Sequence, residues 1–363
     1  MAISIGNGVV MGIGSSGSIL AGVNSMFQFT EPALMNGSSV YAFMTAVTVN
    51  SAGLFVAVGY DSNGSAVYAT STNGSTWTTP ALMNGSTGYG YMQAITVNSA
   101  GLFVAVGYDI NFYPVYATSS NGSTWTTPAL MNGSTTQAAM RSVTVNSSGL
   151  FVAIGQTSYP AGYSVYATST NGSNWITPAQ MGSSGASVSM WSITVNISGL
   201  FVAVGDDSSY ATSTNGSNWT TPAQMNGTYT GSIMQGVTVN SSGLFVAVGY
   251  DQNFYSVYAT SANGSTWTTP AVMNGVNTNA RMQSVVVNSA GFFVAVGFGG
   301  NPYPYYATST NGSTWTTPIL VNNSSSFSPL YGITVNRSGL FVAVGYQGNY
   351  YPSFSTSTIA YGI

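Results

Sequence analysis

The hydrophobic positions of the chain form short runs that recur at a nearly constant spacing. The most regular run is Leu-Phe-Val-Ala-Val-Gly, which follows an alternating segment and precedes Tyr-Ala-Thr-Ser and Trp-Thr-Thr-Pro segments. Its last glycine recurs at intervals of 44 to 50 residues, at Gly59, Gly107, Gly155, Gly205, Gly249, Gly297 and Gly345, after a degenerate first copy that ends at Gly14. Runs rich in β-branched and aromatic residues, broken by Asn-Gly and Asn-Ser-x-Gly, predict a repeat protein of short strands and tight hairpins.

Each repeat predicts four strands. In one copy they are Met92–Asn98, Leu102–Tyr108, Pro114–Ser120 and a strand that begins at Trp125. The second strand is apolar at every position, so both of its faces are expected to be covered, whereas a membrane barrel would alternate apolar and polar residues. Four-stranded sheets packed radially cover both faces, and the predicted fold is therefore an all-β propeller.

Eight copies of the repeat predict eight blades, with seven as the alternative, in a single domain of residues 1–363. The predicted units are 1–32, 33–80, 81–128, 129–178, 179–222, 223–270, 271–318 and 319–363. In the last unit the segment 359–363 has to serve as the fourth strand, unless a neighbouring molecule completes the ring. Phe29 takes the place of the repeat tryptophan in the first unit.

The repeat tryptophans stand at one fixed place per unit, which favours a structural role in the core between blades over a role as sugar platforms. They are Trp77, Trp125, Trp175, Trp219, Trp267 and Trp315.

At these residues the chain resembles the Asp-box (BNR-like) repeat propellers. The segment TSTNGSTW (70–77) matches the second half of that repeat, with Asn73 in the acidic position, and GNGVVMGIG (6–14) matches the first half. The resemblance implies a propeller fold but no single activity, because this fold serves sialidases, lectins, assembly factors and phage tail proteins. The sialidase site needs an arginine cluster, and this chain has only Arg141, Arg281 and Arg337.

The composition excludes several classes of function. Charged residues make up 2 % of the chain, and lysine, histidine and cysteine are absent. The chain therefore lacks the phosphate contacts of a nucleic-acid-binding protein, zinc ligands, thiol chemistry and disulfides. No cofactor and no metal site is expected. Asp61, Asp109 and Asp251 each begin an Asp-x-Asn turn, but one carboxylate per loop is too few for calcium.

The compartment is suggested only indirectly. No apolar run is long enough for a membrane span, so membrane insertion is not expected. The first residues make a poor signal peptide, although the polar, uncharged surface favours an extracellular or virion-surface location.

Aromatic residues gather in the loops after the second strand and in the variable loops that lead to the next repeat. In a propeller these loops share one face, where exposed tyrosine with asparagine and serine suits sugars or protein partners. Covering the strand ends is the alternative role. The candidate ligand residues are Tyr89, Tyr91, Phe112, Tyr113, Trp191, Tyr229, Phe254, Tyr255, Tyr303, Tyr305, Tyr350 and Tyr351.

Asn-x-Ser/Thr occurs many times, mostly in predicted turns. The Asn-Gly pairs are interpreted first as turns, and glycosylation of the same asparagines stays open. The candidate acceptors are Asn36, Asn63, Asn73, Asn84, Asn121, Asn132, Asn146, Asn171, Asn196, Asn215, Asn218, Asn226, Asn240, Asn263, Asn311, Asn322, Asn323 and Asn336.

Three functions follow as hypotheses. The first is a non-enzymatic extracellular subunit of a fibre, appendage or coat, which assembles with copies of itself through its uncharged surface. The second is a recognition module that binds glycans or a receptor with its tyrosine-rich face, as a phage tail or adhesin does. The third is an enzyme, which six scattered carboxylates and no histidine make the least favoured.

Overall fold

The computed structural model describes residues 3–5, 9–11, 27–37, 40–86, 90–157, 162–182, 188–227, 231–275, 279–324 and 326–358. Seven antiparallel four-stranded sheets form a β-propeller, and we number its blades 1 to 7 in chain order. The prediction of an all-β propeller with four-stranded blades is confirmed, but the prediction of eight blades is wrong and the seven-blade alternative matches. The described residues include no helix that is both long enough and apolar enough to span a membrane.

The first strand of each blade lies innermost, against the first strands of the neighbouring blades. These strands are Ala42–Val49, Tyr91–Val97, Ala138–Val145, Met190–Val195, Ile233–Val239, Ala280–Val287 and Leu330–Val335. The second strands are Phe55–Asp61, Phe103–Tyr108, Phe151–Thr157, Phe201–Gly205, Phe245–Tyr250, Phe293–Gly299 and Leu340–Gln347.

The third strands are Ala66–Ser71, Pro114–Ser119, Ser164–Ser169, Ser209–Ser213, Ser256–Ser261, Pro304–Ser309 and Tyr351–Thr358. The fourth, outermost strands have two residues each: Ala81–Leu82, Ala129–Leu130, Ala179–Gln180, Ala223–Gln224, Ala271–Val272 and Ile319–Leu320 in blades 1 to 6, and Ala33–Leu34 in blade 7. The 3-10 turns are Met35–Gly37, Met131–Gly133, Asp206–Ser208, Met225–Gly227, Met273–Gly275 and Val321–Asn323.

The fourth strand begins later than predicted. Trp125 precedes it in a segment without strand pairing, where its indole Nε1 donates to the Gly122 carbonyl oxygen. Strand pairing resumes only at Ala129, after Pro128, which has no backbone N–H to donate. The short outer strand of a blade therefore lies just after the predicted unit boundary, as Ala81–Leu82 does after residue 80 and Ala129–Leu130 does after residue 128.

Blades pack through the two faces of the second strand. Val56 and Val58 of blade 1 share a core cluster with Phe103 and Ala105 of blade 2, and Trp125 closes that cluster at its outer side. The same arrangement joins blade 7 to blade 1. Each buried phenylalanine or valine contributes about 1.5–3 kcal/mol, so the inter-blade layers are the main source of stability.

The ring is closed by the N-terminal part of the chain, which explains the wrong blade count. Ala33 and Leu34 pair with Phe354 and Ser353 as the fourth strand of blade 7. The described part of the predicted first unit forms no blade: it holds an antiparallel pair of strands, Ile3–Ile5 with Val9–Met11, and the segment that leads to this outer strand. The segment 359–363, which was expected to be the last strand, lies outside the described residues.

Candidate functional site

The innermost strand of every blade contains one β-bulge at the same position. The pairing with the second strand shifts between Met92 and Ala94 in blade 2, which leaves Gln93 unpaired, and the same shift occurs in the other six blades. A bulge re-aims the side chain of its extra residue. The bulged residues, here called the bulge ring, are Thr45, Gln93, Arg141, Trp191, Gln235, Gln283 and Tyr331, and all seven line one cavity.

A glycine in the second strand makes each bulge possible. At Gly107 a Cβ atom would lie 2.0 Å from the carbonyl oxygen of Tyr91, and at Gly59 it would lie 1.7 Å from that of Phe43. At the equivalent glycines of the other five blades, an added Cβ atom would lie 1.8–2.0 Å from the corresponding carbonyl oxygen of the same blade. No side chain fits there, so the last glycine of the Leu-Phe-Val-Ala-Val-Gly run serves the cavity as well as the strand.

The bulge ring varies between blades, whereas two positions of the same strand keep a buried apolar residue. The residue before it is a fully buried methionine in six blades and Leu330 in the seventh. The residue two positions after it, such as Ile95 or Val143, is a buried aliphatic residue. These two positions form the core, whereas the bulge-ring side chains line the cavity.

The cavity has a volume of about 420 Å³, within the usual range for small-molecule sites. Its lining combines the amides of the bulge ring, the hydroxyls of Ser142, Ser192 and Ser284, and the aromatic rings of Phe43 and Tyr60. The lining contains no carboxylate among the described residues, and Arg141 is its one formally charged group. The site can therefore offer hydrogen bonds, aromatic faces and one positive charge.

Arg141 is held between two aromatic rings. Its guanidinium carbon lies 5.1 Å from the ring centroids of both Tyr108 and Trp191, which is cation–π geometry. Its Nη1 donates to Gln93 Oε1 at 3.5 Å, and its Nε is buried with no partner among the described residues. Trp191 is fixed in turn, because its Nε1 donates to the Asp206 carboxylate at 2.6 Å.

A chain of aromatic rings runs around the cavity from blade 6 to blade 2. Neighbouring centroids lie 4.9–5.9 Å apart, the separation of interacting aromatic pairs. In spatial order these rings, here called the aromatic belt, are Phe298, Tyr331, Tyr346, Phe43, Tyr60, Tyr91 and Tyr108. Tyr108, the last ring of the belt, contacts the guanidinium group of Arg141.

Burial in the belt raises the pKa of Tyr60, Tyr331 and Tyr346, with the largest shifts at Tyr60 and Tyr331. Burial, together with Tyr108, Tyr346 and Tyr91, raises the pKa of Tyr60 to about 12, against the opposing charge of Arg141. Burial and a hydrogen bond to Tyr346 raise the pKa of Tyr331 well above its ordinary value. Both hydroxyls are thus neutral donors at physiological pH and unsuited to general base catalysis.

Alkaline pH is expected to weaken the fold through Tyr60. Its folded pKa lies above the unfolded value of about 10, so the unfolded chain loses this proton first, and stability falls as the pH rises from about 10 to about 12. Tyr60→Phe should make this fall shallower. Denaturant unfolding at pH 9, 10, 11 and 12 measures it, and identical pH dependence in both proteins would contradict the prediction.

The predicted ligand-face residues lie in several different environments. Trp191 belongs to the bulge ring and Tyr91 to the aromatic belt, while Phe112, Phe254 and Tyr350 are exposed at the rim. Tyr305 instead packs against the core of blade 6. The other described members, Tyr113, Tyr255, Tyr303 and Tyr351, are half-buried, and Tyr89 and Tyr229 lie outside the described residues.

Six bulge-ring residues were absent from the sequence prediction: Thr45, Arg141, Gln93, Gln235, Gln283 and Tyr331. The predicted site lies in loops, whereas the cavity is lined mainly by residues of the innermost strands. Comparison of the repeats with one another contained a signal, since the position after the buried methionine changes from blade to blade, as does the position before that methionine.

The other residues singled out in the sequence have structural roles in the core or in turns. Each repeat tryptophan is buried between blades. The carboxylate of Asp109 accepts hydrogen bonds from the backbone N–H groups of Asn111 and Tyr113, and Asp61 and Asp251 make the same turn.

The candidate glycosylation acceptors lie in turns and are exposed, except Asn146, Asn196, Asn240 and Asn336, which are half-buried. In the repeated box turn Asn73 Oδ1 accepts from the N–H groups of Ser75 and Thr76. Asn36 instead reaches the neighbouring blade, where its Nδ2 donates to Thr79 Oγ1. These asparagine side chains therefore make defined hydrogen bonds that stabilise their turns.

No family model matches the chain, and no curated protein sequence matches it significantly. The similar solved structures include a catalytically inactive histidine-to-alanine variant of virginiamycin B lyase from Staphylococcus aureus with quinupristin, at 10 % identity and a TM-score of 0.68, covering 92 % of this chain and 100 % of that one. YCF48 bound to D1 peptide has 16 % identity, a TM-score of 0.62 and coverages of 91 % and 95 %. The BP39L lectin from Burkholderia pseudomallei has 12 % identity, a TM-score of 0.70 and coverages of 89 % and 98 %.

These similarities establish the propeller fold. They also correct the first functional hypothesis. The proteins that share the fold here are lyases, YCF48 and a lectin, and none is a fibre, appendage or coat subunit. The prediction of a structural subunit is therefore wrong.

Proposed function

We propose that this propeller is a non-catalytic recognition module that binds a saccharide in the cavity of the bulge ring. The observation that carries the proposal is that the bulge position of every blade places a polar or aromatic side chain in the lining of one cavity. Amides and hydroxyls provide the hydrogen-bond partners that sugar hydroxyls require. Aromatic faces carry partial negative charge and so suit the polarised C–H faces of a pyranose ring.

The chemistry of the lining supports binding over turnover. General acid–base catalysis needs a positioned group that titrates near the operating pH. Among the described residues the cavity offers instead an arginine and tyrosines whose pKa is raised. The lyase variant that shares this fold is inactive without its histidine, and this chain has no histidine at all.

Membership in the Asp-box repeat group is part of the proposal. The turn that contains Asn73 supports it, because Ser71 Oγ and Asn73 Oδ1 accept the backbone N–H groups of Gly74 and Thr76. Trp77 Nε1 donates back to the Gly74 carbonyl oxygen, which fixes the ring in the inter-blade core. In this interpretation the repeat turn stabilises the fold at a distance from the bound sugar.

Substitutions in the bulge ring are expected to weaken saccharide binding without unfolding the protein. Gln235→Ala and Gln283→Ala each remove amide hydrogen bonds, and the dissociation constant should rise about threefold to tenfold. Arg141→Gln removes a charged donor and should raise it about tenfold to a hundredfold. A glycan array identifies the sugar, and calorimetric titration measures the affinities.

Gln180→Ala is the matched control, because Gln180 is an exposed glutamine on the outer strand of blade 3. Its affinity should equal that of the native protein. An array without a bound glycan, or ring variants that bind as tightly as the control, would contradict the proposal.

A further inference from the structure

Two exposed phenylalanines at the rim have a backbone conformation that favours glycine. Phe112 has a φ of +62° and Phe254 a φ of +63°, and their side chains are 45 % and 40 % exposed. Left-handed backbone carries an energetic cost for a residue with a bulky side chain. Neither ring recovers that cost by full burial.

Blade 1 shows that the same turn is built with glycine. The turn runs from Asp109 to Phe112, and from Asp61 to Gly64 in blade 1. In both turns the fourth residue donates its N–H to the aspartate carbonyl oxygen, at 2.9 Å for Phe112 and 3.0 Å for Gly64. Gly64 has a φ of +72°, so glycine takes the conformation that phenylalanine is forced to adopt.

Both phenylalanine rings are linked to the aromatic belt, Phe112 directly and Phe254 through Arg281. Phe112 stacks on Tyr108 of the aromatic belt, with 5.3 Å between centroids and 11° between ring planes. Phe254 lies under the guanidinium of Arg281, which is 3.8 Å from its centroid and also contacts Phe298 of the belt. A third exposed aromatic residue with a positive φ, Tyr350, contacts Phe43 in the wall of the cavity at 4.9 Å.

We propose that Phe112 and Phe254 are binding platforms outside the cavity, which hold further units of a saccharide chain on either side of the unit that occupies the bulge ring. This inference rests on the proposed function. Exposed rings that adjoin the belt offer flat faces to successive pyranose units. The uncharged surface around them favours a chain without many charges.

Saccharides of different lengths test the proposed platforms separately from the cavity. The probes are glucose and cello-oligosaccharides, N-acetylglucosamine and chito-oligosaccharides, and mannose and manno-oligosaccharides, each from one to six units. The affinity of the native protein for the series that binds should increase with length. Phe112→Gly and Phe254→Gly should each lower the affinity for the hexasaccharide about tenfold and leave the affinity for the single sugar within about twofold.

Stability distinguishes a binding platform from a packing residue. Glycine relieves the backbone strain, so the Tm of Phe112→Gly should stay equal to that of the native protein or rise by up to about 2 °C. A residue retained for packing would instead lower the Tm on removal. Ile197→Ala is the control, because Ile197 is 87 % exposed in a hairpin on the opposite face; it should change neither the Tm nor any affinity.

The outcomes separate the two proposals. Binding of the single sugar without a gain from chain length, or unchanged hexasaccharide affinity in both variants, overturns the platforms and leaves the cavity site standing. A lower Tm with unchanged affinity assigns the rings to packing and also overturns the platforms. Failure of every saccharide to bind overturns both.

Discussion

Replacement of Gly107 by alanine is expected to lower the free energy of unfolding by about 3 kcal/mol or more, at the upper end of the cost of overpacking. The new Cβ atom would lie 2.0 Å from the Tyr91 carbonyl oxygen and 2.9 Å from the Met92 Cα. Both are backbone atoms, so no rotation of a side chain can relieve the overlap. Denaturant unfolding of the native and variant proteins measures the loss.

The same substitution should disturb the cavity. Gln93 enters the cavity only because the innermost strand bulges between Met92 and Ala94, opposite Gly107. A strand pushed away from Gly107 would move Gln93 and its hydrogen bond to Arg141. Saccharide affinity should therefore fall in Gly107→Ala even at temperatures where the variant is folded.

Gly162→Ala is the control for this prediction. Gly162 has no positive φ, and the nearest atom to an added Cβ, the Thr157 carbonyl oxygen, is 3.9 Å away. Its effect should stay within about 0.5 kcal/mol, as at other unconstrained surface positions. Equal stability of the two variants would show that the bulge accommodates a side chain and would contradict the steric argument.

The sequence predicted the strands well because their signals are local. The second strand is apolar throughout, and residues Phe103 to Gly107 are buried between two blades as expected. The outer strand was predicted to begin too early, because Trp125 and Thr126 are residue types that favour strands. The backbone there is held instead by hydrogen bonds between Thr118 and Thr126, one of which uses a threonine hydroxyl.

The blade count could not be read from local signals, since closure of a ring is a property of the whole chain. The degenerate first copy matches the repeat and was counted as a blade. Its described continuation supplies only Ala33–Leu34, which pair with residues about 320 positions away. Such pairing depends on the tertiary fold, and periodicity cannot specify it.

The cavity was missed for a related reason. A bulge is set by the partner strand, and the glycine that permits it was interpreted as the end of an apolar run. Phe112 and Phe254, by contrast, are among the predicted ligand-face residues, because they lie in loops whose composition departs from the repeat. Variable residues on the strands become visible only when the repeats are compared position by position.

Phe29→Ala is expected to cost about 3–5 kcal/mol, the usual loss for a buried phenylalanine. Phe29 is 1 % exposed and packs with Phe341 and Ala343 of blade 7 and with Val294 of blade 6. It occupies the place of the repeat tryptophan, and the backbone confirms the equivalence. Thr30 exchanges with Thr356 the same hydrogen bonds that Thr78 exchanges with Thr70 in blade 1.

The loss should be concentrated where the ring closes, because no chain connection in the described structure holds the N-terminal strand to blade 7. Amide hydrogen exchange should therefore speed up in residues 330–358 of Phe29→Ala and change less in blade 4, on the other side of the ring. Phe327→Ala, which truncates a 40 % exposed ring in the segment that leads into blade 7, is the control and should cost less than about 1 kcal/mol. Uniform acceleration of exchange in all seven blades would instead show that the propeller opens as one unit, with no weak point at its closure.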